Sequence, residues 1–384
     1  MSEWKTVRLG DIFDLQMGKT PERKNLDFFS TTDNKWISIA DISKADKYIF
    51  ETKEYISDEA VKKSGIKQIP ANTVIMSFKL SIGKTAITKE PMYSNEAIMA
   101  FLPNGKYEVD NDFLYHLFSN KDWSEGSNKA VKGITLNKAS LLEVKILLPP
   151  LTIQKQIAKT MDKCTEIISK NKRMLENYDT LIKSRFIEMF GDPVTNTKNW
   201  MMRTLESLGK WESGGTPSRK NPAYFKGNIP WYSAGELNTL YLEDSIEKIT
   251  EEAINESSAK IFKKGSLFVG MYDTAAFKMG IAKEYCSSNQ ACANINPNAD
   301  TNVLWLYYEL SEMKEFFLQN RRGVRQKNLN LGMIKDFVIP FPPLTLQNDF
   351  ATFVQQVDKS KFAVQKSLEK AETLYKSLMQ RYFA

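Results

Sequence analysis

Two stretches of the chain contain no glycine or proline and repeat apolar residues at alternating spacings of four and three. In the first, from Ile153 to Phe190, the stripe is Ile157, Met161, Cys164, Ile168, Leu175, Tyr178, Ile182 and Met189, broken by Asn171 and Arg185. In the second, from Leu346 to Ala384, it is Leu346, Phe350, Phe353, Val357, Val364, Ala371, Leu374 and Leu378, with Ser360 and Ser367 interrupting. Each pattern predicts one long helix with a coiled-coil-like seam, roughly 57 Å long at ~1.5 Å per residue. A Pro-Pro pair stops whatever precedes each run, and Thr152 or Thr345 is placed to cap it. The first run ends at Phe190-Gly191-Asp192-Pro193. A rod of this length cannot bury its seam inside one neighbouring domain, so the two helices are expected to pair antiparallel and hold the remaining parts at opposite ends.

Outside these runs the hydrophobic pattern is shorter and more β-like. Thr73–Phe78, Leu267–Tyr272, Val144–Leu148 and Phe337–Ile339 read as strands bounded by Gly, Pro, Lys and Asn. Helical pieces are expected at 112–120 and 303–318. These segments recur, because the chain repeats itself with a period near 195 residues. Gly18-Lys19-Thr20-Pro21-Glu22-Arg23-Lys24-Asn25 answers Gly214-Gly215-Thr216-Pro217-Ser218-Arg219-Lys220-Asn221, and aromatic pairs follow at Phe28-Phe29 and Tyr224-Phe225. Trp36 answers Trp231, and Ser94-Asn95-Glu96-Ala97 answers Ser288-Asn289-Gln290-Ala291. Leu148-Pro149-Pro150-Leu151-Thr152-Ile153-Gln154 answers Phe341-Pro342-Pro343-Leu344-Thr345-Leu346-Gln347. The organisation expected is therefore a globular domain at 1–150, a helix at 151–192, a second globular domain at 193–343 and a second helix at 344–384.

Composition narrows the chemistry. The net charge is +7, and most of it lies on the two long runs, so the nearly neutral globular parts would meet a polyanion only through local patches. No run approaches the ~18 apolar residues of a membrane span, and the start lacks the apolar region of a signal peptide, so no membrane partner and a cytoplasmic location are expected. Cys164 stands alone and Cys286 and Cys292 lack companions for a zinc site, so all three are expected to be small buried residues. The one histidine, His116, sits in the apolar stretch Phe113–Phe118, which points to hydrogen-bonded packing and rules out two matching His-based active sites.

Several motifs come close to chemistry and miss. Gly18-Lys19-Thr20 and Gly83-Lys84-Thr85 lack the glycine five residues earlier that a phosphate loop needs, those positions being Phe13 and Phe78. Asn221-Pro222-Ala223-Tyr224 is near the box with which DNA amino-methyltransferases hold a flipped base. It lacks the second proline, and no Phe-x-Gly-x-Gly loop for a methyl donor occurs, so Tyr224 is expected to pack. Neither a carboxylate cluster with metal-ligand spacing nor a Gly-x-Ser-x-Gly elbow is present. No catalytic, cofactor or metal site is expected in this chain.

What recurs instead is recognition chemistry. Each copy has a basic, polar turn: Lys19, Thr20, Arg23, Lys24 and Asn25, then Thr216, Ser218, Arg219, Lys220 and Asn221. Each has a loop after a strand, with Lys79, Ser81 and Lys84 in one copy and Tyr272, Asp273, Thr274 and Lys278 in the other. Each has an Asn-centred loop, Asn95-Glu96 and Asn289-Gln290, and a basic run before its last strand. Those runs hold Lys129, Lys132, Asn137 and Lys138, and Arg321, Arg322, Arg325, Gln326, Lys327 and Asn328. Lys and Arg neutralise phosphates, while Arg, Asn and Gln can read base edges.

With these elements in place the chain resembles the specificity subunit of type I restriction-modification systems. The resemblance rests on Trp4-Lys5-Thr6-Val7-Arg8-Leu9-Gly10-Asp11-Ile12, the Gly-Thr-Pro turn at 215–217, Pro-Pro-Leu-Thr-Ile-Gln-Lys-Gln-Ile-Ala at 149–158, Pro-Pro-Leu-Thr-Leu-Gln at 342–347 and Phe190-Gly191-Asp192-Pro193. The first copy departs from the Gly-Gly-Thr-Pro turn at Met17-Gly18-Lys19-Thr20-Pro21, and Asn348-Asp349-Phe350 departs from a Gln-rich start to the second helix. The resemblance implies an α+β fold with two similar mixed α/β target-recognition domains in a pseudo-two-fold arrangement, joined by two long helices forming an antiparallel coiled coil. It implies a non-enzymatic subunit in which each domain reads half of a bipartite, asymmetric site on double-stranded DNA and the helices set the gap. Two methyltransferase subunits using S-adenosylmethionine on adenine N6, and two restriction subunits using ATP and Mg, would be the partners and would hold all cofactors. The competing readings are a self-contained methyltransferase or nuclease, and a coiled-coil protein scaffold.

Overall fold

The computed structural model describes residues 4–79, 81–123, 128–130, 133–319 and 328–383. It divides into two compact units, residues 1–172 with 365–384, and residues 173–364. Each unit therefore takes one globular copy, part of the first long helix and part of the second.

The two units share one strand order. In the first, a five-stranded sheet runs Phe13–Met17, Ile98–Pro103, Val74–Ser77, Thr85–Thr88, Tyr48–Ile49, beside a three-stranded sheet Glu54–Ile56, Asn34–Ile37, Tyr93–Ser94. In the second, the corresponding sheets are Gly209–Ser213, Cys292–Pro297, Leu267–Gly270, Met279–Ala282, Tyr241–Leu242, and Glu247–Ile249, Ile229–Tyr232, Ser287–Ser288. The central strands Val74–Ser77 and Leu267–Gly270 are buried at every residue, which explains why they read as short continuous apolar runs rather than alternating ones. A separate two-stranded ribbon, Lys5–Arg8 with Lys145–Leu148 or Met201–Thr204 with Val338–Phe341, brings the beginning of each copy to the point where its long helix starts.

The long helices span Leu151–Phe190 and Leu344–Phe383, so each begins two residues earlier than its apolar pattern suggests. Pro150 and Pro343 occupy the capping position, and their carbonyls accept the first helical N–H groups, from Gln154 and from Gln347 at 3.0 and 3.2 Å. The threonines lie in the first turn. The motif owes its glutamine to a tertiary contact. Gln154 and Gln347 are fully buried. Gln154 Oε1 accepts the Asp110 N–H at 2.8 Å, and its Nε2 donates to Glu108 O and Pro149 O at 3.1 and 2.8 Å. Gln347 repeats this with the Asn302 N–H at 2.8 Å and with Asp300 O and Pro342 O at 3.4 and 2.9 Å. Asp110 and Asn302 are themselves the N-caps of helices Asn111–Asn120 and Val303–Glu312. The segment read from sequence as one helix to 318 is broken at Met313, and Lys314–Leu318 is a separate short helix.

Within each unit the two long helices run antiparallel and pack on the globular copy as well as on each other. In the first unit Ile157, Ala158 and Met161 join a core with Phe13, Phe101, Phe113 and Phe118, and Tyr375, Leu378 and Phe383 pack against it. In the second, Ile182, Phe186, Phe190, Phe350, Val354 and Val357 share a core with Trp305 and Leu310. The seam accordingly departs from the sequence stripe. Phe186, Val354 and Leu368 are buried and Leu374 is half exposed. Asn171 is a buried break, as its position in the stripe suggests, and donates to Ser367 Oγ at 3.1 Å.

His116 plays the expected packing role. It is fully buried, with Nε2 2.7 Å from Asp162 Oδ1, and Lys47 Nζ donates to the same carboxylate at 2.6 Å. Burial works against the Asp162 charge, but the hydrogen bonds from His116 and Lys47 outweigh it and lower the carboxyl's pKa. The three cysteines are free and buried. Tyr224 is buried and its hydroxyl donates to Glu256 at 2.6 Å.

Candidate nucleic-acid interface

The repeated polar turns fold back on the Asn-centred loops, and glycine makes this possible. Lys19 N donates to Ser94 O, and Gly215 N to Ser288 O, each at 2.9 Å. A Cβ on Gly18 would lie 2.2 Å from Asn95 O, and one on Gly214 2.3 Å from Ser288 O, so only glycine permits the approach. The departure at Lys19 has a local cause. A Cβ on Gly215 would meet Ser258 O at 2.2 Å, whereas in the first copy glycine lies on the opposing side, at Gly65, and Lys19 Nζ donates to Ser64 O at 3.1 Å. The indole N–H of Trp36 donates to Lys19 O at 3.1 Å and that of Trp231 to Gly215 O at 3.0 Å, fixing both turns to the three-stranded sheets.

Several residues singled out from the sequence are committed to this framework. Arg23 forks both oxygens of Glu54 and lies over the rings of Phe29 and Trp36, at 4.4 and 4.7 Å from their centroids. Arg219 does the same with Glu247, Phe225 and Trp231. Each arginine hydrogen bond lowers the pKa of its carboxylate partner. Asn25 and Asn221 accept the N–H two residues on, at 3.2 Å in both copies. Asn95 and Asn289 do likewise at 3.0 Å. Asn137 caps helix Lys138–Glu143 through the Ser140 N–H at 2.8 Å. Ser218 accepts the Lys220 N–H at 3.4 Å.

The remaining residues are presented outward. Lys24, Lys138, Lys220 and Tyr272 are exposed. Lys79 lies over the Phe78 ring at 5.2 Å. Lys84 donates to Ser43 Oγ at 2.6 Å, and Lys278 to Gly235 O at 3.4 Å. Thr20 donates to Glu96 Oε2, and Thr216 donates to Gln290 Oε1 at 2.5 Å. The hydrogen bond from Thr20 lowers the pKa of Glu96 against a burial penalty, with Lys79 and Arg23 adding to the effect. In the first unit a groove of about 560 Å³ is lined by Lys19, Thr20, Asn25, Lys63 and Glu96, and one of about 700 Å³ by Gln16, Lys19, Lys67 and Lys138. They share Met17 and Lys19. Lys63 has no counterpart in the second copy, where Glu256 stands in its place, whereas Lys67 is matched by Lys260 outside the four repeated loops. Lys132, Arg321, Arg322, Arg325, Gln326 and Lys327 lie outside the described residues, as does the side chain of Lys129, whose backbone is in strand Asn128–Ala130. Beyond that basic run, Asn328 leads into Leu329, whose N–H donates to Met271 O at 2.8 Å. Among the described residues there is no group of three or more His, Cys, Asp or Glu able to hold a metal ion, and no helix long and apolar enough to cross a membrane.

Known proteins share this organisation. The model of the type I restriction modification DNA specificity domain matches residues 1–177 and again 197–372. The type I restriction enzyme MjaIX specificity subunit of Methanocaldococcus jannaschii is 22% identical, over 92% of this chain and 86% of its own. The EcoR124I/EcoR124II specificity subunit of Escherichia coli is 23% identical, over 54% of this chain and 52% of its own. The crystal structure of the type I restriction-modification S subunit from M. genitalium superposes with a TM-score of 0.64 over all of this chain and 96% of that one, at 14% identity. A chain from a structural study of complex assembly and conformational transition in the type I system gives 0.62, at 18% identity, over all of this chain and 98% of that one. The chain belongs to the type I restriction modification DNA specificity family, with two copies of its domain in tandem.

Proposed function

We propose that this chain, a specificity subunit of a type I restriction-modification system, reads a bipartite DNA site, one half with each globular copy. One observation supports this most directly. The two units share strand order, the Trp-held turn, the Arg–Glu clamp and the Gln staple, yet differ at particular positions set on that frame, with Glu96 answered by Gln290 and Lys63 by Glu256. A repeated frame with unlike outward residues suits two unlike half-sites. The lysines around the grooves would contact phosphates and orient the duplex, and the polar loop residues would reach base edges. The site residues named from sequence divide accordingly. Lys19, Lys24, Lys79, Lys84, Lys138, Lys220 and Lys278 are offered to phosphates, whereas Arg23, Arg219, Asn25, Asn221 and Asn137 shape the loops that carry the others.

The chain supplies recognition and no chemistry of its own. Two methyltransferase subunits would bring S-adenosylmethionine and methylate adenine N6, and two restriction subunits would bring ATP and Mg. The long helices, each passing from one unit into the other, would set the spacing between half-sites and offer the partners a docking surface. The test is methylome sequencing of cells carrying the chain with its methyltransferase partner. A two-part adenine-methylated motif that vanishes on deleting the gene is expected; a methylome indifferent to the gene would sink the reading.

A further inference from the structure

Residues 96 and 290 occupy one position in the repeated frame and carry different chemistry there. The turn that holds them is the same. The Asn95 N–H donates to Ile37 O at 3.0 Å and the Asn289 N–H to Tyr232 O at 2.9 Å, while Asn95 and Asn289 carbonyls accept from Ile98 and Cys292, both at 3.2 Å. The same threonine, Thr20 or Thr216, bonds one oxygen of the side chain. Both side chains are nevertheless exposed. Pinning a long, flexible Glu or Gln on a surface costs rotamer entropy, and one solvent-facing hydrogen bond is a poor return for folding alone. A side chain fixed before its ligand arrives loses less on binding.

We propose that Glu96 and Gln290 are the equivalent base-reading residues of the two copies, and that the exchange of a carboxylate for an amide contributes to the asymmetry of the site. The inference rests on the DNA-reading function proposed above. Its chemistry follows from what each group presents once the threonine has taken one oxygen. Glu96, held as a carboxylate, offers only acceptors and so suits the exocyclic amino group of cytosine. A carboxylate next to a phosphate-binding groove repels DNA unless it meets such a donor, and Lys19 and Lys63 around it supply the attraction that brings the duplex in. Gln290 offers an amide N–H2 with a remaining lone pair on Oε1, the pattern that pairs with adenine N7 and N6.

The experiment is a reciprocal exchange, E96Q and Q290E, each in the full chain assembled with its methyltransferase partner, read by methylome sequencing. Both changes are isosteric, both leave an oxygen for the threonine, and unaltered thermal denaturation confirms the fold. E96Q is expected to change base preference about tenfold at one position of one half-site, and Q290E at one position of the other, with spacing unchanged in both. Two variants that methylate the wild-type motif with wild-type preference overturn the inference. A wild-type chain that confers no bipartite motif overturns instead the reading on which it rests.

Discussion

At the level of single residues, the arginines of the two repeated turns are tied into the frame. Arg23 and Arg219 each meet a carboxylate with two hydrogen bonds and cover two aromatic rings. Lysine cannot reproduce the planar fork or the stacking. R23A and R23K are both expected to destabilise the first unit, by about 1–2 kcal/mol for a partly exposed pair with cation–π contact, as measured by urea denaturation. Glu54 adds a pH dependence whose sign is fixed. Its pKa is lowered in the folded chain by the Arg23 hydrogen bond, so its stabilisation is present above the unfolded carboxylate range near 4.3 and fades as pH falls through the folded value. Wild type is expected to lose part of its advantage over E54Q between about pH 5 and pH 3; an advantage constant across that range would contradict the assignment. Arginine in a basic turn is as compatible with a phosphate contact as with a clamp, and the clamp becomes visible only once the fold brings Glu54 and Glu247 to the arginines.

Among the elements, the joint between globular copy and long helix is the most constrained. Gln154 and Gln347 each satisfy three backbone groups where water is excluded. Replacement by leucine leaves those groups unpaired, at about 1–3 kcal/mol each before relaxation. Q154L is expected to lower stability by several kcal/mol and to loosen hydrogen exchange at the start of the first long helix, and Q347L to do the same at the second. A loss below ~0.5 kcal/mol, the usual range of surface changes, would refute the staple. The helices themselves were legible from the sequence because forty residues without Gly or Pro leave few alternatives. Their seams were less so. Residues at the helix ends pack against the globular cores, which rotates burial onto Phe186 and Val354, while Leu368 is buried and Leu374 is left outside.

For the whole molecule, both long helices pass from one compact unit to the other. If they set the gap in the DNA site, removing one turn from each, ~5.4 Å, is expected to shorten the gap in the methylated motif by one or two base pairs at ~3.4 Å each while both half-sites stay the same. An unchanged gap would refute the spacer role. DNA binding by the assembled complex is also expected to weaken steeply with salt through counterion release, whereas salt-insensitive binding would favour a scaffold for proteins alone.

The duplication, the two long helices and the family could be read from the chain alone, since each is carried by periodicity or by residue identity in order along it. The sequence also marked the turns and Asn-centred loops that the fold brings together. Tertiary structure alone decided which polar residues in those loops are tied down and which face outward. That division depends on partners far away in sequence, Glu54 for Arg23, Thr20 for Glu96 and Asp110 for Gln154. A side chain's chemistry is written in the chain, but whether it is already satisfied depends on what the fold sets against it.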